Sequence, residues 1–206
     1  VMELLGTSLE NIFQKNDRVL KINNIYKLAI DMITVLEHFH NKGFIHRDIK
    51  PNNFLFNYTK PYNQLYLMDF GLSKQYIQNN KHIDLKTDRS LIGTARYASL
   101  NIHWGIEPSR RDDLESVGYI LIYLLKSKLP WQGLKATKEK SQIQQIGEKK
   151  LMISLDKLCE NIDTCFKEYL EYTRQLKFSQ KPDYQYLINL FTESANKNNI
   201  NLSYDL

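Results

Sequence analysis

Residues 113–126 are apolar almost all round: Leu114, Val117, Ile120, Leu121, Ile122, Leu124 and Leu125 leave no continuous polar stripe for solvent. A helix of that kind is stable only when other elements cover every side of it. The chain must therefore wrap this segment with further packed elements, making it the central core helix. The 206 residues are enough for one such unit with a substantial core. No internal repeat and no Pro/Gly/Ser linker divides them. The longest apolar stretch, residues 117–125, is about half of the roughly 20 residues that span a bilayer, so no membrane span is expected. The first residues, Val1-Met2-Glu3, lack the basic and apolar regions of a signal peptide.

Other elements follow from periodicity. Between residues 22 and 40 the apolar positions Ile22, Ile25, Tyr26, Ala29, Met32, Ile33, Leu36 and Phe39 keep a 3.6-residue period, and Gly43 supplies the stop. Thr7-Ser8-Leu9-Glu10 has the capping-box pattern, with Thr7 as cap, and predicts a short helix after an apolar strand end at residues 1–5. Phe54-Leu55-Phe56 and residues 65–68 read as a hairpin, and residues 44–53, polar between apolar anchors, read as a positioned loop. Residues 72–101 show no clear period, which predicts a long functional loop. Three amphipathic helices are expected near 138–149, 164–176 and 184–195, so β structure is expected only in the first seventy residues.

The chemistry lies in HRDIKPNN (residues 46–53), followed by Asp69-Phe70-Gly71 sixteen residues after Asn53. This pair has the form of the protein kinase catalytic loop and metal-binding motif. Phosphoryl transfer needs charge neutralisation at the phosphate oxygens and an aligned hydroxyl, with little covalent work from the protein. Asp48 suits the base that orients the hydroxyl, and Lys50 suits a cation near the transferred phosphate. Asn53 and Asp69 offer the hard oxygen ligands that Mg²⁺ prefers. His38 and His40, two apart on a helix, point to different faces and do not make a ligand pair. His46 is read as a packed, hydrogen-bonded backbone support, and Arg47 as a partner for an anion in the long loop. Cys159 and Cys165 have no metal-ligand spacing and suit a reducing compartment.

Four further runs carry a closer resemblance: GTARYAS (93–99), SRRDDLES (109–116), LPWQGLK (129–135) and KPDY (181–184). With them the chain resembles the casein kinase I family of serine/threonine kinases over nearly its whole length. Ser99-Leu100-Asn101 stands where most kinases carry Ala-Pro-Glu, as is usual in that family. The resemblance implies an α+β, kinase-like fold in which a mainly α-helical C-terminal lobe carries a small β-hairpin. Residues 1–6 would be the hinge and 7–206 that lobe, both parts of one kinase domain. It implies ATP and Mg²⁺ as cofactors, with Met2 as gatekeeper, Glu3 and Leu5 in the adenine-binding hinge, and Leu55 and Met68 on the pocket floor. Asp113 matches the aspartate that supports the catalytic-loop backbone.

Family members favour acidic or already phosphorylated protein substrates. Arg96 matches their basic pocket, and Lys86 and Arg89 add charge in the same loop; guanidinium groups suit phosphate because they donate two parallel hydrogen bonds. Gln142 departs from the pattern, standing where a pocket lysine is expected, with Lys138 and Lys140 nearby. The formal charge of +5 fits an anionic partner without identifying it. A monomer that is intracellular, cytoplasmic or nuclear, is expected, with no nucleic-acid partner. No glycine-rich phosphate loop, strand lysine or helix glutamate is found, so the β-rich N-terminal lobe is expected upstream of Val1 and the 206 residues alone are expected to be inactive. The competing reading is a non-catalytic, kinase-like scaffold; intact Asp48, Lys50, Asn53 and Asp69 argue against it.

Overall fold

The computed structural model describes residues 4–206; Met2 and Glu3 lie outside the described residues. The backbone enters beside a strand edge, where the Gly6 amide donates to the Phe56 carbonyl and the Phe56 amide to that of Thr7. Helix α1 (Leu9–Lys15) starts next, and its cap is Ser8, whose Oγ accepts from the Asn11 amide. The expected cap was Thr7. The Thr7 carbonyl is committed to the strand edge, which moves the helix start on by one residue. Glu10 accordingly pairs with Gln14 and Tyr123 instead of reaching back.

Helix α2 (Ile22–Asn41) buries the expected apolar face, including Ile25, Tyr26, Ala29, Met32, Ile33 and Leu36. Six short strands follow: β1 (Phe44–Ile45), β2 (Phe54–Phe56), β3 (Leu65–Leu67), β4 (Lys74–Gln75), β5 (Ile77–Gln78) and β6 (Lys81–His82). They form three antiparallel pairs, β1 with β4, β2 with β3, and β5 with β6. The β2–β3 hairpin is the expected one, in register Phe54↔Leu67, Leu55↔Tyr66 and Phe56↔Leu65. Phe54, Phe56, Leu65 and Leu67 face the core, while Leu55 and Tyr66 alternate to the opposite face. The strands at residues 74–82 correct the expectation that β structure ends by residue 70. Two-residue strands are too short to show a period of two, although Asn79-Asn80, both at positive φ (50° and 59°), are turn residues that mark the β5–β6 reversal.

Helix α3 (Leu100–His103) is a single turn capped by Ser99. Helix α4 (Arg110–Lys126) is the central helix, with Leu114, Val117, Ile120, Leu121, Ile122 and Leu124 all buried. It begins three residues before the apolar run because Arg110, Asp112, Asp113 and Glu115 are buried as well, in polar networks that a hydrophobic pattern does not reveal. Helices α5 (Gln142–Met152), α6 (Leu155–Leu158), α7 (Thr164–Gln175) and α8 (Tyr184–Lys197) complete the chain. Helix α4 packs against α2 and α7, and α8 closes over α2. The α4–α7 approach needs Gly118: a Cβ there would lie 2.4 Å from Leu170 Cδ2. Among the described residues no helix is long and apolar enough to cross a membrane.

Candidate active site

The loop after α2 is fixed from beneath by Asp113 in the first turn of α4. Asp113 Oδ2 accepts from the His46 amide (2.7 Å) and faces His40 Nε2 at 2.9 Å, and Oδ1 accepts from the Arg47 amide (2.8 Å). Burial alone would raise this carboxyl. The hydrogen bond and charge of His40, together with His46, outweigh burial and hold it below the usual carboxylate range. The network continues through His40, whose Nδ1 lies 2.7 Å from the Tyr184 hydroxyl and whose carbonyl accepts from the Tyr76 hydroxyl. Between these ties Arg47 takes φ +70°, a conformation that costs a non-glycine residue energy and persists where the surroundings impose it.

That geometry presents Asp48 at the top of the loop, 7% exposed. Its Oδ2 accepts from Lys50 Nζ at 2.5 Å and its Oδ1 from Thr94 Oγ1 at 2.8 Å. The Asn53 side chain donates through Nδ2 to the Asp48 carbonyl (2.9 Å), which leaves its amide oxygen for another partner. Gly93, at φ +83°, brings the 93–99 segment against the loop: a Cβ there would meet the Arg47 carbonyl at 2.3 Å.

Asp69 is brought to the same end of the β2–β3 hairpin by two ties on its neighbour. The Met68 amide donates to the Asn53 carbonyl, and His46 Nε2 lies 2.9 Å from the Met68 carbonyl. His46 Nδ1 lies 3.3 Å from the Asp48 amide, so one buried ring bridges the backbones of the two motifs in its Nε2–H tautomer. Phe70 stacks on Phe39 (5.2 Å between centroids) and meets the edge of His46 (5.8 Å). Asp69 is exposed, in left-handed backbone at φ +65°, and forms no ion pair with any described residue. Its carboxylate and the Asn53 amide oxygen are hard donors that suit Mg²⁺. No group of three or more His, Cys, Asp or Glu side chains arranged for a metal occurs among the described residues, so the remaining positions around such an ion would be left to phosphate oxygens and water.

Leu5, Leu55 and Met68 are half-buried, and Leu55 and Met68 share the outward face of the hairpin. The basic residues divide. Arg89, exposed, pairs with the buried Glu107 (3.4 Å), which also takes Lys74 (2.6 Å), while the Glu107 amide bonds the Lys86 carbonyl. Exposed Arg96 forms no ion pair with a described residue; its guanidinium sits over the Tyr97 ring. Gln142, in the first turn of α5, donates to the Leu134 carbonyl, and Lys140 pairs with Glu148. Sequence reasoning missed Thr94, His40 and Lys74. Thr94 and Lys74 sit in an aperiodic stretch, and His40 carried only an unhelpful spacing with His38.

The protein kinase domain model matches residues 1–195, and the chain belongs to the protein kinase family. Membership implies ATP with a divalent metal, and a protein as phosphoryl acceptor.

Proposed function

We propose that this chain carries the hinge and the C-terminal lobe of a serine/threonine kinase of casein kinase I type, acting on acidic or already phosphorylated proteins. The observation that carries the reading is Asp48, a nearly buried carboxylate oriented by Lys50 and Thr94 at the meeting point of the Asn53 and Asp69 motifs. Asp48 orients the acceptor hydroxyl and takes its proton. Lys50, half-buried beside it, faces the phosphate being transferred. Asn53 and Asp69 hold Mg²⁺, which supplies charge neutralisation at the phosphate oxygens when bound. Leu55 and Met68 floor the adenine site, completed by the gatekeeper Met2 and by Glu3 and Leu5 of the hinge. His46 and Asp113 support the loop from below.

Acceptor preference rests on Arg96, exposed and without a carboxylate partner among the described residues, with Lys86 and Arg89 in the same loop. Arg89 is tied to Glu107, which it shares with Lys74, so Arg96 carries most of the discrimination. The assay is made on the protein as it is naturally expressed. With Mg-ATP it is expected to phosphorylate casein and acidic peptides on serine or threonine, and labelling confined to tyrosine would overturn the serine/threonine assignment. Arg96→Ala should lower kcat/KM for a phosphate-primed peptide by about tenfold and for its unprimed form by much less, since only the former loses a charge-assisted contact. Equal losses on both peptides would remove the anion-site reading.

A further inference from the structure

Lys150, on α5, is fully buried. Its Nζ donates to the Ala95 carbonyl at 2.9 Å and the Ala98 carbonyl at 2.5 Å, and lies 4.7 Å and 5.0 Å from the ring centroids of Tyr119 and Trp131. No carboxylate lies within ion-pair distance of it among the described residues. Glu115, the nearest acidic influence, is engaged by Arg174, the Tyr119 hydroxyl and the Leu100 amide. A buried cation without a counter-ion is costly. The cost shows in the ammonium itself: burial, with Arg174 adding to it and Glu115 opposing it, lowers it to about 7.

Packing does not require that cost, since methionine fills a similar volume with no charge. What methionine cannot do is hold carbonyls. Two other side chains tie the same segment: His103 Nε2 lies 3.2 Å from the Ala95 carbonyl, and Trp131 Nε1 donates to the Arg96 carbonyl at 2.8 Å. Three side chains from three parts of the chain thus clamp residues 95–98 from inside, leaving the Arg96 side chain outside.

We propose that Lys150 is a positioning residue for the protein substrate: through the Ala95 and Ala98 carbonyls it sets where the 94–98 segment presents Arg96. This inference rests on the reading of Arg96 given above.

The test is steady-state kinetics on the full-length protein with a phosphate-primed peptide, its unprimed form and ATP, for the parent, Lys150→Met, Arg96→Ala and the double variant. Lys150→Met is expected to raise the KM of the primed peptide about fivefold to tenfold, with the KM of ATP and kcat changed by less than about twofold. In the Arg96→Ala background the same change should add little to the primed KM. Lys150→Gln, which keeps a donor nitrogen without the charge, should fall between parent and Lys150→Met, and it serves alone if the methionine variant does not fold. Peptide KM, ATP KM and kcat shifting together, or not at all, would overturn the positioning role whatever Arg96 does. Equal losses on both peptides in Arg96→Ala would instead strike the anion reading and leave the Lys150 split to be judged on its own.

Discussion

Asp48→Asn should lower kcat by about 10³-fold, within the 10²–10⁴ range of a positioned general base, while leaving the fold and nucleotide affinity in place. The reason lies in the contacts. Asparagine has the same shape, and its amide can turn so that the oxygen faces Lys50 Nζ and the nitrogen faces Thr94 Oγ1, a hydroxyl able to accept. Both neighbours stay satisfied, so no buried group is orphaned and the unfolding midpoint should stay close to that of the parent. What disappears is the carboxylate that orients and deprotonates the acceptor hydroxyl. The measurement is single-turnover phosphorylation of an acidic peptide beside nucleotide binding by fluorescence titration. Turnover equal to that of the parent would remove Asp48 as the base. It would also revive the scaffold reading if neither protein turned over above background.

The mutation isolates chemistry from folding because the motif and its support come from different parts of the sequence. The support was only partly legible. Asp113 could be assigned to the loop because the SRRDDLES run resembles a known family, but its partnership with His40 could not. His40 sits on the helix face that periodicity marks as core, and nothing in the spacing of a lone histidine tells a ligand from a satisfied core residue. The α2 and α4 helices were legible because the 3.6-residue period of long amphipathic or all-apolar segments depends on burial alone. Strands β4, β5 and β6 were not, since two residues cannot display alternation. Strand β4 is held by the long-range pair Ile45↔Lys74, which no local window contains, whereas β5 and β6 pair only with each other across the Asn79-Asn80 turn. Lys150 was hidden for the opposite reason. In sequence it is the second lysine of Glu148-Lys149-Lys150, which reads as solvated charge, and only the fold buries it beneath residues 95–98.

Asp113→Asn is the substitution expected to damage both stability and turnover. The carboxylate receives two backbone amides, those of His46 and Arg47, and faces His40 Nε2. An asparagine oxygen can serve only one side of that set. If it faces the Arg47 amide, its NH₂ group confronts the His46 amide and His40 Nε2. The imidazole can answer by changing tautomer and accepting, with its Nδ1–H then donating to the Tyr184 hydroxyl, but the His46 amide has no such alternative. One buried donor is left unpaired and a buried charge partner is lost, at a cost of roughly 3 kcal/mol. The unfolding midpoint should fall by about 2–4 °C for each of those kcal/mol. Turnover should fall too, by up to about 10²-fold, because Arg47 is held at φ +70° by these bonds and its relaxation would displace Asp48. The effect has a pH signature. The folded carboxyl lies below its unfolded value, so its contribution is fully present above about pH 4 and is lost as pH falls through the folded value. The stability gap between parent and variant, measured by urea unfolding, should therefore be larger at about pH 5 than below about pH 4, where it closes. A gap that persists undiminished into that acid range would mean that the Asp113 charge does not stabilise the loop.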